Sequence, residues 1–242
     1  MRTLGIVQAR MGSSRLPGKV LRRLGGDTVL GRVVRAARDS GVLDELVVAT
    51  TTEPVDDAVV AECDAIGVAC HRGPVDDVLT RFVDVLDARP ADVVMRFTAD
   101  CPLLDPAIIA LAANVFAATP EIDYLSTSIA RTLPRGLDVE LVRTDALRAA
   151  HTLARDHHRV HVTSYLYSHP EDFRVLGLTL QPDLAHLRLT LDTEDDWQLI
   201  AAIVEHFGAR PAPVRDVAAW LAARPELTLL NAHVHQKALV QA

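Results

Sequence analysis

Short apolar runs, each followed by a stretch of helical periodicity, constrain this chain's fold more than any other feature. Leu4–Ala9 reads as a buried strand, and Val29, Leu30, Val33, Val34 and Ala37 fall on one helical face. Glu45–Thr50 reads as a second strand, Asp56–Ile66 as a helix and Val68–His71 as a short third strand. Val75, Val78, Leu79, Phe82, Val83 and Leu86 follow the i, i+3, i+4, i+7 spacing of an amphipathic helix. Asp92–Phe97 is a further strand, and Asp105-Pro106 opens a helix that runs through Phe116. This βαβαβαβα order predicts an α/β fold, a three-layer sandwich around a mostly parallel sheet.

The second half is less regular. Asp138–Val142, Phe173–Leu180 and Leu187–Leu191 read as strands, and Thr193–Phe207 and Val214–Ala223 as helices. The expected organisation is a single domain over 1–242 with a β-rich insert at about 120–190. Hydrophobic residues are 49% and charged residues 24%, enough for a sizeable core. A net charge of −7 argues against a nonspecific nucleic-acid binder, and no apolar stretch is long enough for a membrane span. The chain enters a strand-like run at once, without a signal-peptide pattern. Cys63, Cys70 and Cys101 lack CxxC spacing, so a cytoplasmic location with reduced thiols is expected.

The loop after the first strand reads ARMGSSRLPGKV. It is not a Walker A loop, because five residues rather than four separate Gly12 from Gly18-Lys19, and Val20 stands where that motif has Ser or Thr. Its parts are nevertheless suited to phosphate. Gly12, Ser13 and Ser14 can present backbone N–H groups, and Arg10, Arg15 and Lys19 add positive charge. Ligands of open α/β sheets bind beyond the carboxyl ends of the strands, where this loop lies. Ala9 and Thr98, at two such ends, are further nucleotide-binding candidates. The competing reading is a solvated Gly/Ser surface loop.

The strand DVVMRF leads into Thr98-Ala99-Asp100-Cys101-Pro102, and LTLDTEDD places Asp192 after another short run. Asp100 and Asp192 could face one Mg²⁺ from two sides, since that ion takes one or two carboxylates plus phosphate oxygens. Asp192 could equally be a helix N-cap, and Asp100 a turn residue. Asp138 and Glu140 share a strand face by the period of two. Arg72 and Asp77, in HRGPVDD, could meet a base or ribose, although Asp76 and Asp77 are also capping residues. His157, His158, His161, His233 and His235 form no HExxH or Cys/His framework.

Taken in order, IVQARMGSSRLPGKVL, ELVVATTTEPVDD, RGPVDDVLTRF, RFTADCPLLDP, PRGLDVELV, HVTSYLY and HLRLTLDTEDD resemble the spore-coat polysaccharide type of cytidylyltransferase, related to the CMP-sugar-acid synthetases. The resemblance runs to about Phe207. It implies a Rossmann-like nucleotidyltransferase fold of the GT-A-like kind, CTP as the nucleotide and Mg²⁺ as the cofactor. It implies triphosphate binding by Arg10, Ser14, Arg15 and Lys19, and places Arg72 and Asp77 near the base. Metal binding falls to Asp100 and Asp192, and the acceptor side to Asp138 and Glu140. The implied acceptor is a small acid, a sugar acid such as a nonulosonate or a phosphonate. Arg131, Arg135 and Arg188 are candidates to grip it. A homodimer built through the 120–190 insert is also implied. The chain departs from the related Glu-His-Val-Thr-Pro-Tyr pattern at Val160 and Ser164. Two other readings stand beside this one. A nucleotide-sugar-dependent glycosyltransferase would carry a DxD motif where this chain has TADCP. A non-catalytic nucleotide-binding protein would need neither aspartate.

Overall fold

A seven-stranded sheet forms the middle layer of the molecule. The computed structural model describes residues 1–236. The last residues of the expected domain, 237–242, lie outside them. Strand β1 (Thr3–Gln8) is central. A tight β2–β3 hairpin (Arg23–Leu24 and Asp27–Thr28) follows the phosphate-type loop. Gly25 and Gly26 both have positive φ, +62° and +93°, as a two-residue hairpin turn of right twist requires. Helix α1 (Val29–Asp39) comes next, then β4 (Glu45–Thr51), α2 (Asp57–Ala65), β5 (Ala69–Gly73), α3 (Val78–Ala88), β6 (Val93–Thr98) and α4 (Pro106–Ala118).

The 120–190 segment adds β7 (Tyr124–Ser126), β8 (Glu140–Arg143), α5 (Thr144–Leu153), α6 (His157–Val160), α7 (Ser164–Ser168) and β9 (Val175–Gly177). Helices α8 (Glu194–Phe207), α9 (Val214–Ala222) and α10 (Pro225–Thr228) follow. The sheet order is β5-β4-β1-β6-β8-β7-β9. Strands β5, β4, β1 and β6 run parallel, and β8 is antiparallel to both β6 and β7.

Period-two burial assigns each strand's side chains to one layer or the other. Val7, Val93, Met95, Phe97 and Leu141 pack beneath α1, α4 and α8. Leu4, Ile6, Val94 and Val142 point the opposite way, onto Leu79, Phe82 and Leu86 of α3 and Leu147 of α5. Helix starts follow their capping residues. Thr28 accepts the Gly31 N–H, Asp77 the Thr80 N–H and Asp105 the Ala107 N–H, with Pro106 in the first turn of α4.

Three expectations change. Leu187–Leu191 alternates inward as expected, but it joins no strand of the sheet. Its backbone pairs with a loop instead, through Arg135 N–H to Leu187 O at 3.1 Å and Leu189 N–H to Arg135 O at 2.7 Å. The 120–190 segment has more helical than strand residues, and its longest helix, α5, buries Ala146, Leu147 and Ala150 on the α3 side of the sheet. The strand expected over Phe173–Leu180 is confined to β9, and Leu180 N–H turns to the Thr132 hydroxyl.

Candidate active site

The site sits on the rim where β1 and β6 end side by side. Gln8 and Thr98 are partners in register, and Ala99 N–H donates to Gln8 O at 3.0 Å, so both chains leave the sheet together. The loop after β1 is closed on itself by Gly18 N–H to Met11 O at 3.0 Å. It is pinned to the turn between β4 and α2 by Met11 N–H to Asp56 Oδ1 at 2.6 Å. This closure turns Lys19 inward, where it is 8% exposed.

Lys19 Nζ joins the two aspartates that the sequence set apart. It donates to Asp100 Oδ2 at 2.8 Å, Asp192 Oδ1 at 2.9 Å and Leu191 O at 2.6 Å. Burial alone would lower the Lys19 pKa, but Asp100 and Asp192 outweigh it and raise it above the ordinary value. Burial would likewise raise Asp192. Lys19, Arg188 and Arg15 reverse that and hold its carboxyl at about 2. Arg15 and Arg188 each reach Asp192 Oδ2 at 2.9 Å. Asp192 is not the cap of α8. Thr193 takes that role in a capping box with Asp196, which leaves the Asp192 side chain to the site.

Two cavities share this cluster as a common wall. The smaller, about 290 Å³, is lined by Ala9, Arg10, Gly12, Ser13, Ser14, Arg15 and Lys19 from the loop and by Arg81 from α3. The larger, about 690 Å³, is lined by Arg131, Arg135, Asp138 and Glu140, with Arg96, Tyr124, Thr163 and Tyr167. Thr98, Asp100, His161, Asp192 and Gln236 line both. The sequence candidates therefore separate into two groups that meet at Asp100 and Asp192.

Three candidates line neither cavity. The Arg72 guanidinium is committed to Thr51 O at 2.8 Å, Glu53 O at 2.9 Å and Asp57 Oδ1 at 2.6 Å, clamping β5 to the start of α2. Asp77 caps α3 and pairs with Arg159. Arg188 stands behind Asp192, with Nε on Asp196 Oδ1 at 2.8 Å, and orients that aspartate.

Within the larger cavity Glu140 accepts from Arg96, from the Tyr124 hydroxyl at 2.8 Å and from the Thr163 hydroxyl. Burial and the Glu140 charge push the Tyr124 hydroxyl well above its ordinary pKa. Asp138 pairs with Arg131 at 2.5 Å. Arg96, Tyr124 and Thr163 were not singled out in the sequence: Arg96 read as part of a strand, Tyr124 fell in no predicted element, and Thr163 was noted only within the HVTSYLY segment. Cys101, beside Asp100, is buried, and its thiol is raised well above the usual range by burial and by the Asp100 charge. It is therefore no thiolate nucleophile. His158 bonds Ser164 Oγ at 2.8 Å, and its ring lies tilted against His157 and edge-on to Tyr165. Among the described residues no group of three or more His, Cys, Asp or Glu gathers as a metal site. The Asp100–Asp192 pair of hard oxygen donors, open to the phosphate-side cavity, suits a divalent cation that completes its shell with phosphate and water.

The cytidylyltransferase family description matches residues 4–209. The chain belongs to the cytidylyltransferase family. The spore coat polysaccharide biosynthesis protein SpsF of Bacillus subtilis is 35% identical over 217 residues, covering 86% of this chain and 88% of that protein. A cytidylyltransferase structure from Leptospira borgpetersenii superposes with a TM-score of 0.90 at 29% identity, over 94% of this chain and 97% of that one. CMP:2-keto-3-deoxy-manno-octonic acid synthetase, in a structure with CTP, shares the fold at a TM-score of 0.67 and 16% identity, over 85% and 99% of the two chains. The chain is thus a nucleotidyltransferase with cytidylyltransferase activity, and its mixed α/β sheet is the one its structural neighbours share. Among the described residues no helix is long and apolar enough to cross a membrane.

Proposed function

We propose that this cytidylyltransferase moves CMP from CTP to a small acidic acceptor, a sugar acid or a phosphonate, with Mg²⁺ and release of pyrophosphate. The observation that carries the reading is the shared wall. A basic, glycine-containing loop lines one cavity, arginines line the other, and Asp100 and Asp192 stand between them. CTP occupies the smaller cavity and the acceptor the larger. An acceptor oxygen attacks the α-phosphorus, the new P–O bond forms, and the bond to the β-phosphate oxygen breaks with pyrophosphate as the leaving group; a phosphonate oxygen attacks already ionised, whereas a sugar hydroxyl gives its proton up to solvent water. Arg10, Arg15 and Lys19 hold the β- and γ-phosphates and stabilise the charge that collects on them. The Gly12–Ser14 backbone adds N–H donors.

Asp100 and Asp192 would hold Mg²⁺, which would neutralise charge at the reacting phosphate. An acceptor carboxylate or phosphonate meets Arg131 and Arg135. Asp138 offsets Arg131, whereas Arg135 has no ion pair among the described residues, so its charge is available. Burial and the nearby Arg131 lower the Arg135 pKa, which an anionic ligand would reverse. Glu140 is held by its three donors and serves as a fixed acceptor for sugar hydroxyls. A saccharide acceptor is supported by the relative SpsF, a polysaccharide biosynthesis protein, and its acidity by the arginines of the larger cavity. A cytoplasmic homodimer with its interface in 120–190 completes the reading. The test is pyrophosphate release with Mg²⁺ and each of the four nucleoside triphosphates, against a panel of acidic sugars and phosphonates. Release with CTP and one acceptor supports the reading. Release with another triphosphate, or with neutral sugars alone, refutes it.

A further inference from the structure

Arg81 lies on α3 one turn beyond its Asp77 cap and is 2% exposed. Its stem runs across Gly73 at the end of β5, where an added Cβ would lie 2.7 Å from Arg81 Cγ. The absence of a side chain at Gly73 thus makes room for it. Arg81 Nε and Nη1 are buried without a hydrogen-bond partner among the described residues. Two carboxylates, Asp56 and Asp77, are near enough to act on it electrostatically, and both are committed elsewhere. Asp56 Oδ1 accepts the Met11 N–H at 2.6 Å, and its Oδ2 accepts the Thr51 hydroxyl. Asp77 Oδ1 accepts the Thr80 N–H at 2.9 Å, and its Oδ2 accepts Arg159 Nε at 2.9 Å and Nη2. Burial, then the nearby positive charge of Arg10, lowers the Arg81 pKa to about 10, so it remains a cation at neutral pH. A buried charge without a partner is strongly unfavourable and persists where function requires it. Arg81 lines the smaller cavity together with Arg10 and Lys19.

We propose that Arg81 is a phosphate-binding residue of the nucleotide site, its buried guanidinium completed by an anionic oxygen of the bound triphosphate. This rests on the reading of the smaller cavity as the triphosphate site. Arg81→Met keeps the stem and removes the charge. Calorimetric titration of wild type and variant with a nonhydrolysable CTP analogue, with pyrophosphate and with cytidine separates the parts of the ligand. The expected result is a loss of affinity of roughly 10- to 100-fold for the analogue and for pyrophosphate, the range for a charge-assisted hydrogen bond, with cytidine unchanged. The ligand-free variant should melt at the same temperature as wild type or higher, because an unpaired buried charge has gone. Arg81→Lys should recover part of the affinity, by charge without the planar fork.

Unchanged affinity for the analogue and pyrophosphate, with wild type binding both, would overturn this inference and leave the proposed function standing. An equal loss for cytidine would overturn it too, by placing Arg81 on the nucleoside. A lower ligand-free melting temperature would overturn it by showing that the protein itself satisfies the guanidinium. A wild type that binds neither the analogue nor pyrophosphate would refute the reading of the cavity and this inference together.

Discussion

Replacing Lys19 with Met removes the ammonium that joins Asp100 and Asp192 but keeps an unbranched stem. Nζ now donates to both carboxylates, at 2.8 and 2.9 Å, and to Leu191 O at 2.6 Å. Removing one partner of a buried pair costs about 3–5 kcal/mol. Asp192 retains Arg15 and Arg188, and the Asp100 side chain is 27% exposed, so the lower end applies. A cost of about 3 kcal/mol lowers Tm by roughly 6–12 °C in a chain of this length. Calorimetry in the presence of a chelator measures it. Mg²⁺ is then titrated into both proteins. In wild type the ammonium competes for the same carboxylate oxygens, whereas in Lys19→Met the two anions face each other with that competitor gone. The variant should therefore respond at a Mg²⁺ concentration lower by at least roughly tenfold, which needs only about 1.4 kcal/mol of relieved competition. A Tm within roughly 2 °C of wild type would refute the energetics of the cluster. A Mg²⁺ midpoint no lower than that of wild type would refute the sharing of one site by lysine and metal.

Three further outcomes follow from the same geometry. Gly136 has φ +101°, and a Cβ there would lie 2.5 Å from Leu189 C and Thr190 N, so Gly136→Ala should cost roughly 3 kcal/mol or more by urea unfolding; a wild-type midpoint would refute the tight seam between the two site loops. Burial would raise the Asp77 pKa, but the Thr80 N–H and Arg159 hold it below the ordinary carboxylate value. Its contribution is therefore present above the unfolded Asp pKa of about 3.9 and is lost as pH falls through the lower folded value. Asp77→Ala should then be less stable at pH 7 by about 1 kcal/mol, with the gap closing in acid; a gap that stays constant in acid would refute the assignment. Asp100→Asn should lower pyrophosphate release by at least roughly 100-fold with the secondary structure retained by circular dichroism; near-wild-type turnover would refute its role.

Apart from the β2–β3 hairpin, which the sequence reading did not place, the elements as far as α4 were legible because burial there follows local periodicity. The apolar run Leu4–Ala9 reports a buried strand, and the stripe of Leu79, Phe82 and Leu86 a helix face, without reference to the rest of the chain. The segment from 187 to 191 shows where this fails. Its alternation was correctly readable, but alternation says only which side is buried, and a loop around Arg135 can pair with it as well as a strand can. The sequence reading placed no element over α5, whose buried face is only Ala146, Leu147 and Ala150, a shorter stripe than that of α3.

The partners of charged residues were the least legible, for a different reason. Asp77 and Arg81 stand at i and i+4 on a helix, the spacing of a local ion pair, yet Asp77 turns to Arg159, 82 positions away, and leaves Arg81 unpaired. In LDTEDD four residues can cap a helix. Only the packing of Thr193 and Asp196 into a capping box releases Asp192 to Lys19, 173 positions away. Charges carry no periodicity that reveals a distant partner, because their pairing is decided after the layers have packed. In this chain the packing brings the ends of β1 and β6, the turn before α8 and the α3 face together at one rim. It leaves there a cluster of paired charges beside Arg81, a buried cation whose Nε and Nη1 find no partner among the described residues. An uncompensated buried cation beside a basic loop is poor design for a ligand-free fold and sound design for one that holds a polyanion.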